Sequence, residues 1–277
     1  MHRARRVVFA ILLLSAFVFL PRAAHAEPGD ELTISVLTFG PGDHPFFKFG
    51  HNAILVHDDS RRDVRSDLVY NFGTFAFESW TLIPNFFRGK LRYWLSIQSL
   101  RGTIALYKSE NRTIDAQVLD LTAAQKREIA AALAENALPE NRYYKYDYYA
   151  DNCSTRVRDA VDKVVGGRVL AASQDRGAMT WREHTMRLTA DDVPVALGLD
   201  VAMGDFIDHP RRVWEEMFLP SKLQETLRKV TIPGKDGAMI PLVKSESRLL
   251  EAPGRAPLRV APPAWKLPLF VVAPGSA

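Results

Sequence analysis

Apolar and polar residues alternate with a period of two through much of the first half of the chain and recur at helical spacing through much of the second. Leu32 to Phe39 reads as a strand, and Gly40-Pro41-Gly42-Asp43 closes it as a turn. Further strands are predicted at about 51–57, 67–73, 91–98 and 102–108, and 113–120 alternates enough to add another. In His51-Asn52-Ala53-Ile54-Leu55-Val56-His57, residues 51, 53 and 55 share one face.

The period then lengthens. Thr122 and Gln125 form a capping-box signature for a helix that runs to about Glu135, where Asn136 and Pro139 end it. A link with five Tyr between Tyr143 and Tyr149 leads to a second helix, opened by Asp151 or Asn152 as N-cap and stopped by Gly166-Gly167. On that helix Val157, Ala160, Val161 and Val164 share a face with Cys153. Residues 175–230 read as mainly helical, with segments at Trp181 to His184, Leu197 to Ile207, Arg211 to Met217 and Ser221 to Val230. From Ile232 a Pro, Gly and Lys mixture with a hairpin runs into a Pro- and Ala-rich end. The expected class is α+β with a predominantly antiparallel sheet, laid out as a leader (1–26), a core (27–170), a helical extension packed on it (171–231) and a hairpin, linker and tail (232–277).

The leader is an export signal by pattern: basic residues to Arg6, an apolar run from Val7 to Leu20, and Ala24-His25-Ala26 ahead of cleavage. That run of 14 residues is short of the ~20 that span a bilayer as a helix, so it predicts a cleaved signal and an exported, periplasmic protein. The leader carries four Arg and no acid, so the mature chain holds 32 basic and 32 acidic residues. The high pI mostly belongs to the leader, which removes the charge argument for nucleic-acid binding.

A single cysteine in an exported chain cannot form an internal disulfide, so Cys153 needs a chemical or packing reason. At the start of a helix, unpaired N–H groups and the positive dipole end are expected to lower its pKa and to hold an oxyanion. Among the five His of the mature chain, His51 sits on a strand behind Gly50. His44, His51, His57 and Asp43 match no metal-ligand spacing, so neither metal nor cofactor is expected.

The runs TFGPGDHPFFKFGHNAILV, VYNFGTF, ENRYYKYDYYADNCSTRVRDAVD, TWREHT and LGLDVAMGDFID resemble the Lnb N-terminal periplasmic domain family over about residues 32–225. That family takes its name from a bacterial system that moves an acyl chain onto the amino-terminal cysteine of lipoproteins. The His-before-Cys order also resembles the circularly permuted branch of the papain-like NlpC superfamily, which includes lecithin:retinol acyltransferase. The resemblance implies a permuted papain-like core with Cys153 as nucleophile, His51 as base and a polar residue of the next strand, Asn71, orienting the His.

Acyl transfer through a thioester on Cys153 is therefore the expected activity, with Asn152, Tyr146 and Tyr148 as oxyanion or orienting groups. Arg182 and His184 are expected either to contact a substrate phosphate or carboxylate or to tie the helical part to the sheet. The expected partner is a lipid- or lipoprotein-derived acyl substrate, met through transient contact with a membrane surface. The Phe-rich stretch from Phe46 to Phe87, with Trp80 and Trp94, would line a groove for it or simply build the core. A cell-wall peptidase or amidase and a non-catalytic envelope binding module are the alternatives.

Overall fold

A computed structural model describes residues 27–63, 65–75, 92–234 and 236–263. Residues 1–26, expected to form an export leader, and Phe77, Trp80, Phe86 and Phe87 lie outside these residues. Among the described residues, no helix is long and apolar enough to cross a membrane.

The framework is one seven-stranded sheet in the order β6-β4-β3-β2-β1-β5-β9, antiparallel at every pairing. Its strands are β1 (Leu32–Phe39), β2 (His51–Asp58), β3 (Asp67–Thr74), β4 (Arg92–Ser99), β5 (Ile114–Leu119), β6 (Tyr143–Lys145) and β9 (Val243–Leu250). A small hairpin of β7 (Thr231–Pro233) and β8 (Met239–Pro241) precedes β9.

Because β1 and β2 are apolar on both sides of the pleat, both sheet faces are covered. On one face Ile34, Val36, Ile54, Val56, Tyr70 and Phe72 pack against α2 (Ala123–Asn136), α3 (Cys153–Val164) and α8 (Pro220–Leu227). On the other, Leu37, Phe39, Ala53, Leu55 and Val69 pack against α1 (Leu100–Ser109) through Tyr107. The remaining helices α4 (Arg168–Ala171), α5 (Trp181–Thr189), α6 (Val193–Ala202) and α7 (Val213–Glu216) follow in the second half. A third cluster built from Tyr149, Trp181, Leu188, Ile207, Phe218 and Leu219 forms there. The class is thus α+β with an antiparallel sheet and several helices, as expected.

Three expectations are corrected. Residues 102–108, read as a strand, belong to helix α1: Ser99 caps it by accepting from the Gly102 N–H at 3.2 Å, and Thr103 and Tyr107, four apart, are its buried residues. The β-branched and aromatic composition of the run misdirected the reading. The helix expected at Leu197 to Ile207 begins earlier, at Val193, because Asp192 caps it and Pro194 suits its first turn; it ends at Ala202. The segment after Ile232 does form a hairpin, but the chain that follows returns to the main sheet as β9 rather than serving as a linker. There Glu246 receives the buried Gln117 amide at 2.6 Å and pairs with Arg228 at 2.7 Å.

A chain ending after Leu242 should therefore lose more than a tail. Bare β5 becomes an edge that invites pairing with other chains, and the buried Gln117 amide loses one of its two acceptors. We expect thermal unfolding to fall by about 5 °C or more and size-exclusion chromatography to reveal association; unchanged behaviour in both would show β9 to be dispensable.

Candidate functional site

Helix α3 is fixed at its first turn. Asn152 Oδ1 accepts from the Ser154 and Thr155 N–H groups at 2.8 and 2.9 Å, while Thr155 Oγ1 accepts from the Asn152 N–H at 2.8 Å. The Asn152 amide also donates to the Tyr148 and Phe218 carbonyls at 2.8 and 3.0 Å. Ser154 Oγ donates to the Met217 carbonyl at 2.7 Å. The helix start is thereby clamped between the Tyr-rich link and the segment before α8. Every polar atom of the Asn152 side chain is engaged, so it orients the helix and is not a free oxyanion donor.

Cys153 is the first residue of α3 and is 8% exposed. Its sulfur meets the sheet where β2 and β3 part. Pairing between these strands ends at Ile54 and Tyr70, and β3 carries a bulge between Asn71 and Thr74. Gly73 in the bulge has φ +82°, and a Cβ there would lie 3.5 Å from Cys153 Cβ and 3.3 Å from the Tyr146 ring. The backbone N–H groups of Asn52, on the far side of the gap, and of Ser154 and Cys153 act on the sulfur electrostatically. These three donors and the Arg112 charge favour thiolate, but burial outweighs them and the thiol pKa is raised. The expectation that the helix start would depress it is overturned: desolvation of the charged form is the larger effect.

His51 opens β2 immediately after Gly50, whose φ of +80° and 2.7 Å clearance to the Phe39 carbonyl admit no side chain. Alternation puts His51 with Ala53 and Leu55 on the α1 side, its ring 5.5 Å from Phe39. Cys153 belongs to the core of the opposite face. The two side chains open onto one pocket of about 400 Å³ at the strand ends, lined also by Asn71, Phe46, Phe47, Phe75, Tyr93, Tyr107, Arg112, Tyr146 and Tyr148. The His51 pKa is lowered to about 3: burial is the largest cause, the nearby Arg112 charge adds to it, and a hydrogen bond with Asn71 opposes both. At neutral pH the pocket therefore holds a neutral imidazole and a neutral thiol.

The other expected residues divide between the pocket and a separate network. Tyr146 lines the pocket with its ring stacked on Tyr93 at 4.1 Å. Tyr148 also lines it, its buried hydroxyl has no hydrogen-bond partner, and burial raises its pKa well above the ordinary phenol value, so it remains a donor. Arg182 instead pairs with Asp200 and Asp208, both at 2.6 Å. His184 is fully buried, with Nε2 2.9 Å from Glu216 and Nδ1 accepting from Arg187 at 3.0 Å. Neither lines the Cys153 pocket, and their observed role is to tie the helical part together. Of the Phe-rich stretch, Phe46, Phe47 and Phe75 line the pocket, whereas Phe72 is core.

The sequence reading missed Asn52 and Arg112. Asn52 looks like a strand residue, and its contribution to the sulfur comes through the backbone. Arg112 follows the positive-φ turn residue Asn111 and has no side-chain pattern that distinguishes it from a solvated cation.

Residues 21–187, more than half of the chain, match the family described as Lnb N-terminal periplasmic domain, and the chain belongs to that family. Its membership places it in the periplasm. No curated protein and no solved structure matches it.

With burial raising the Cys153 pKa, its alkylation by iodoacetamide should be slow at pH 7 and still climbing beyond the ordinary thiol midpoint of about 8.5. Mass spectrometry of the Cys153 peptide across pH 6 to 10 tests this; a plateau below pH 8 would show a thiolate stabilised at rest.

Proposed function

From membership of this family and the pocket described above, we propose that the protein is a periplasmic cysteine-dependent acyl-transfer enzyme acting on lipoprotein or phospholipid acyl groups. The observation that carries the reading is a lone thiol at a helix start, set among backbone donors and opening onto the same aromatic-walled pocket as a neutral imidazole. A strand His, an orienting Asn on the neighbouring strand and a downstream Cys opening a helix also fit a circularly permuted papain-like core.

In this mechanism, Cys153 attacks the ester carbonyl as its S–H proton passes to His51. The tetrahedral oxyanion takes hydrogen bonds from the Cys153 N–H and the Tyr148 hydroxyl, which has no other hydrogen-bond partner. The imidazolium then protonates the departing alkoxide, the C–O bond breaks, and a thioester remains. An amine or water attacks the thioester while His51 accepts its proton, and return of that proton to sulfur restores the thiol. Asn71 fixes the ring so that one nitrogen faces the reaction. Since neither partner is charged at rest, the proton moves during attack instead of being held in a standing ion pair.

Trapping the intermediate tests the reading directly. On incubation with a short-chain p-nitrophenyl ester and with a fluorescent phospholipid, the wild type should acquire a hydroxylamine-sensitive acyl group on Cys153. Cys153→Ala should acquire none, and His51→Ala should react about 10²- to 10⁴-fold more slowly. Cleavage of labelled muropeptide without acyl labelling would favour an amidase, and inertness toward all three would sink the catalytic reading.

The pH profile gives a separate check. A base works only when unprotonated, and the His51 pKa is lowered to about 3, so kcat/KM should not fall as pH drops through 6.5 and should be lost only toward that lower value. An acid limb centred near pH 6.5 would assign proton transfer to a solvated His.

A further inference from the structure

The Cys153 pocket contains a cation for which the steps above have no use. Arg112 is 2% exposed and lies between the rings of Phe47 and Tyr107, with its guanidinium carbon 4.8 and 4.5 Å from their centroids. Its Nε donates to the Gly40 carbonyl at 2.9 Å, and Nη1 donates to Glu110 at 3.1 Å. These contacts fix the orientation of the group and leave Nη2 buried with no hydrogen-bond partner. A buried charged donor without an acceptor is costly, and a ligand that supplies the acceptor relieves that cost.

The placement says what kind of ligand. Arg112 lines the same pocket as Cys153 and His51, and its charge is felt at both. Glu110 takes up one edge of the guanidinium, so the remaining donor suits a single oxygen of a monoanion and not a bidentate dianion. Phe46, Phe47, Phe75 and Leu106 supply apolar wall nearby. A ligand with an anionic oxygen a few bonds from an acyl ester, followed by hydrocarbon, satisfies all three features. A glycerophospholipid has that composition.

We propose that Arg112 is a specificity-determining residue whose Nη2 binds the phosphodiester oxygen of a phospholipid substrate, setting its acyl ester against Cys153. This rests on the acyl-transfer reading and narrows it: the preferred acyl donor carries a phosphodiester, and a neutral diacylglycerol of the same chain length is a poor one.

Protection of Cys153 from iodoacetamide separates the two ideas, because it reports occupancy whether or not turnover occurs. Monomeric dihexanoyl phosphatidylglycerol should protect the wild type at about 10- to 100-fold lower concentration than dihexanoylglycerol. In Arg112→Met the ratio between the two lipids should collapse toward one, and Arg112→Lys should keep part of it. Using the ratio within each variant cancels any change in thiol reactivity. Equal protection by both lipids in the wild type overturns the proposal without requiring a variant, even if Arg112→Met fails to fold. Protection by inorganic phosphate at the same concentration as the phospholipid also overturns it, assigning the site to a free anion. Headgroup-dependent protection without any acyl-enzyme would preserve this subsite and refute the acyl-transfer reading. Turnover with no headgroup preference would do the reverse.

Discussion

The site depends on a local failure of strand pairing. Were the β2–β3 ladder to continue past Ile54 and Tyr70, the Asn52 N–H would be directed to a β3 carbonyl and there would be no room for a sulfur. The bulge between Asn71 and Thr74 turns β3 away, and Gly73, at positive φ and without a side chain, leaves the space that Cys153 enters. That gap places donors of two elements, the β2 backbone and the α3 first turn, around one atom. It also lets residues from opposite sheet faces share a pocket: His51 and Asn71 lie with the α1 side, Cys153 with the α3 side, and only at the parted strand ends can both be reached.

Burial then decides the resting charge. Three N–H groups and a neighbouring guanidinium all favour thiolate, yet the thiol pKa rises, and the same burial leaves His51 neutral far below its ordinary pKa. For a lone cysteine in the periplasm the resting charge also governs oxidation. Oxidation proceeds through the thiolate, so a sulfur kept protonated resists both disulfide exchange and sulfenic acid formation.

Strong local signals in the sequence carried through to the structure. β1 is found at its expected bounds, the Thr122 and Gln125 capping box opens α2, and Cys153 opens α3 behind an Asn cap, because each is specified by neighbours within four residues. Where tertiary context decides, the pattern misled. The run around Thr103 to Tyr107 has strand-like composition but is helical because Ser99 caps it and its buried residues recur every four. Strand β9 is charge-rich and mostly exposed, so it lacks the apolar alternation that marks a half-buried strand; ion pairs and edge pairing place it instead. Arg112 became visible only once Phe47, Tyr107 and Gly40 had enclosed it.

The match to the family ends at residue 187, but the hydrogen bonds that set the start of α3 reach beyond it. Asn152 donates to Phe218 and Ser154 donates to Met217, two carbonyls on the segment that α7 and α8 hold in place. Both donors are buried, so removing these acceptors would leave unsatisfied polar groups directly beside Cys153. The helical part is in turn fixed by the His184, Glu216 and Arg187 network and by the Arg182 pairs, outside the lining of the Cys153 pocket. In this chain, then, His184 serves the site at one remove: it holds Glu216, the next residues Met217 and Phe218 present the carbonyls that hold Ser154 and Asn152, and these position the sulfur.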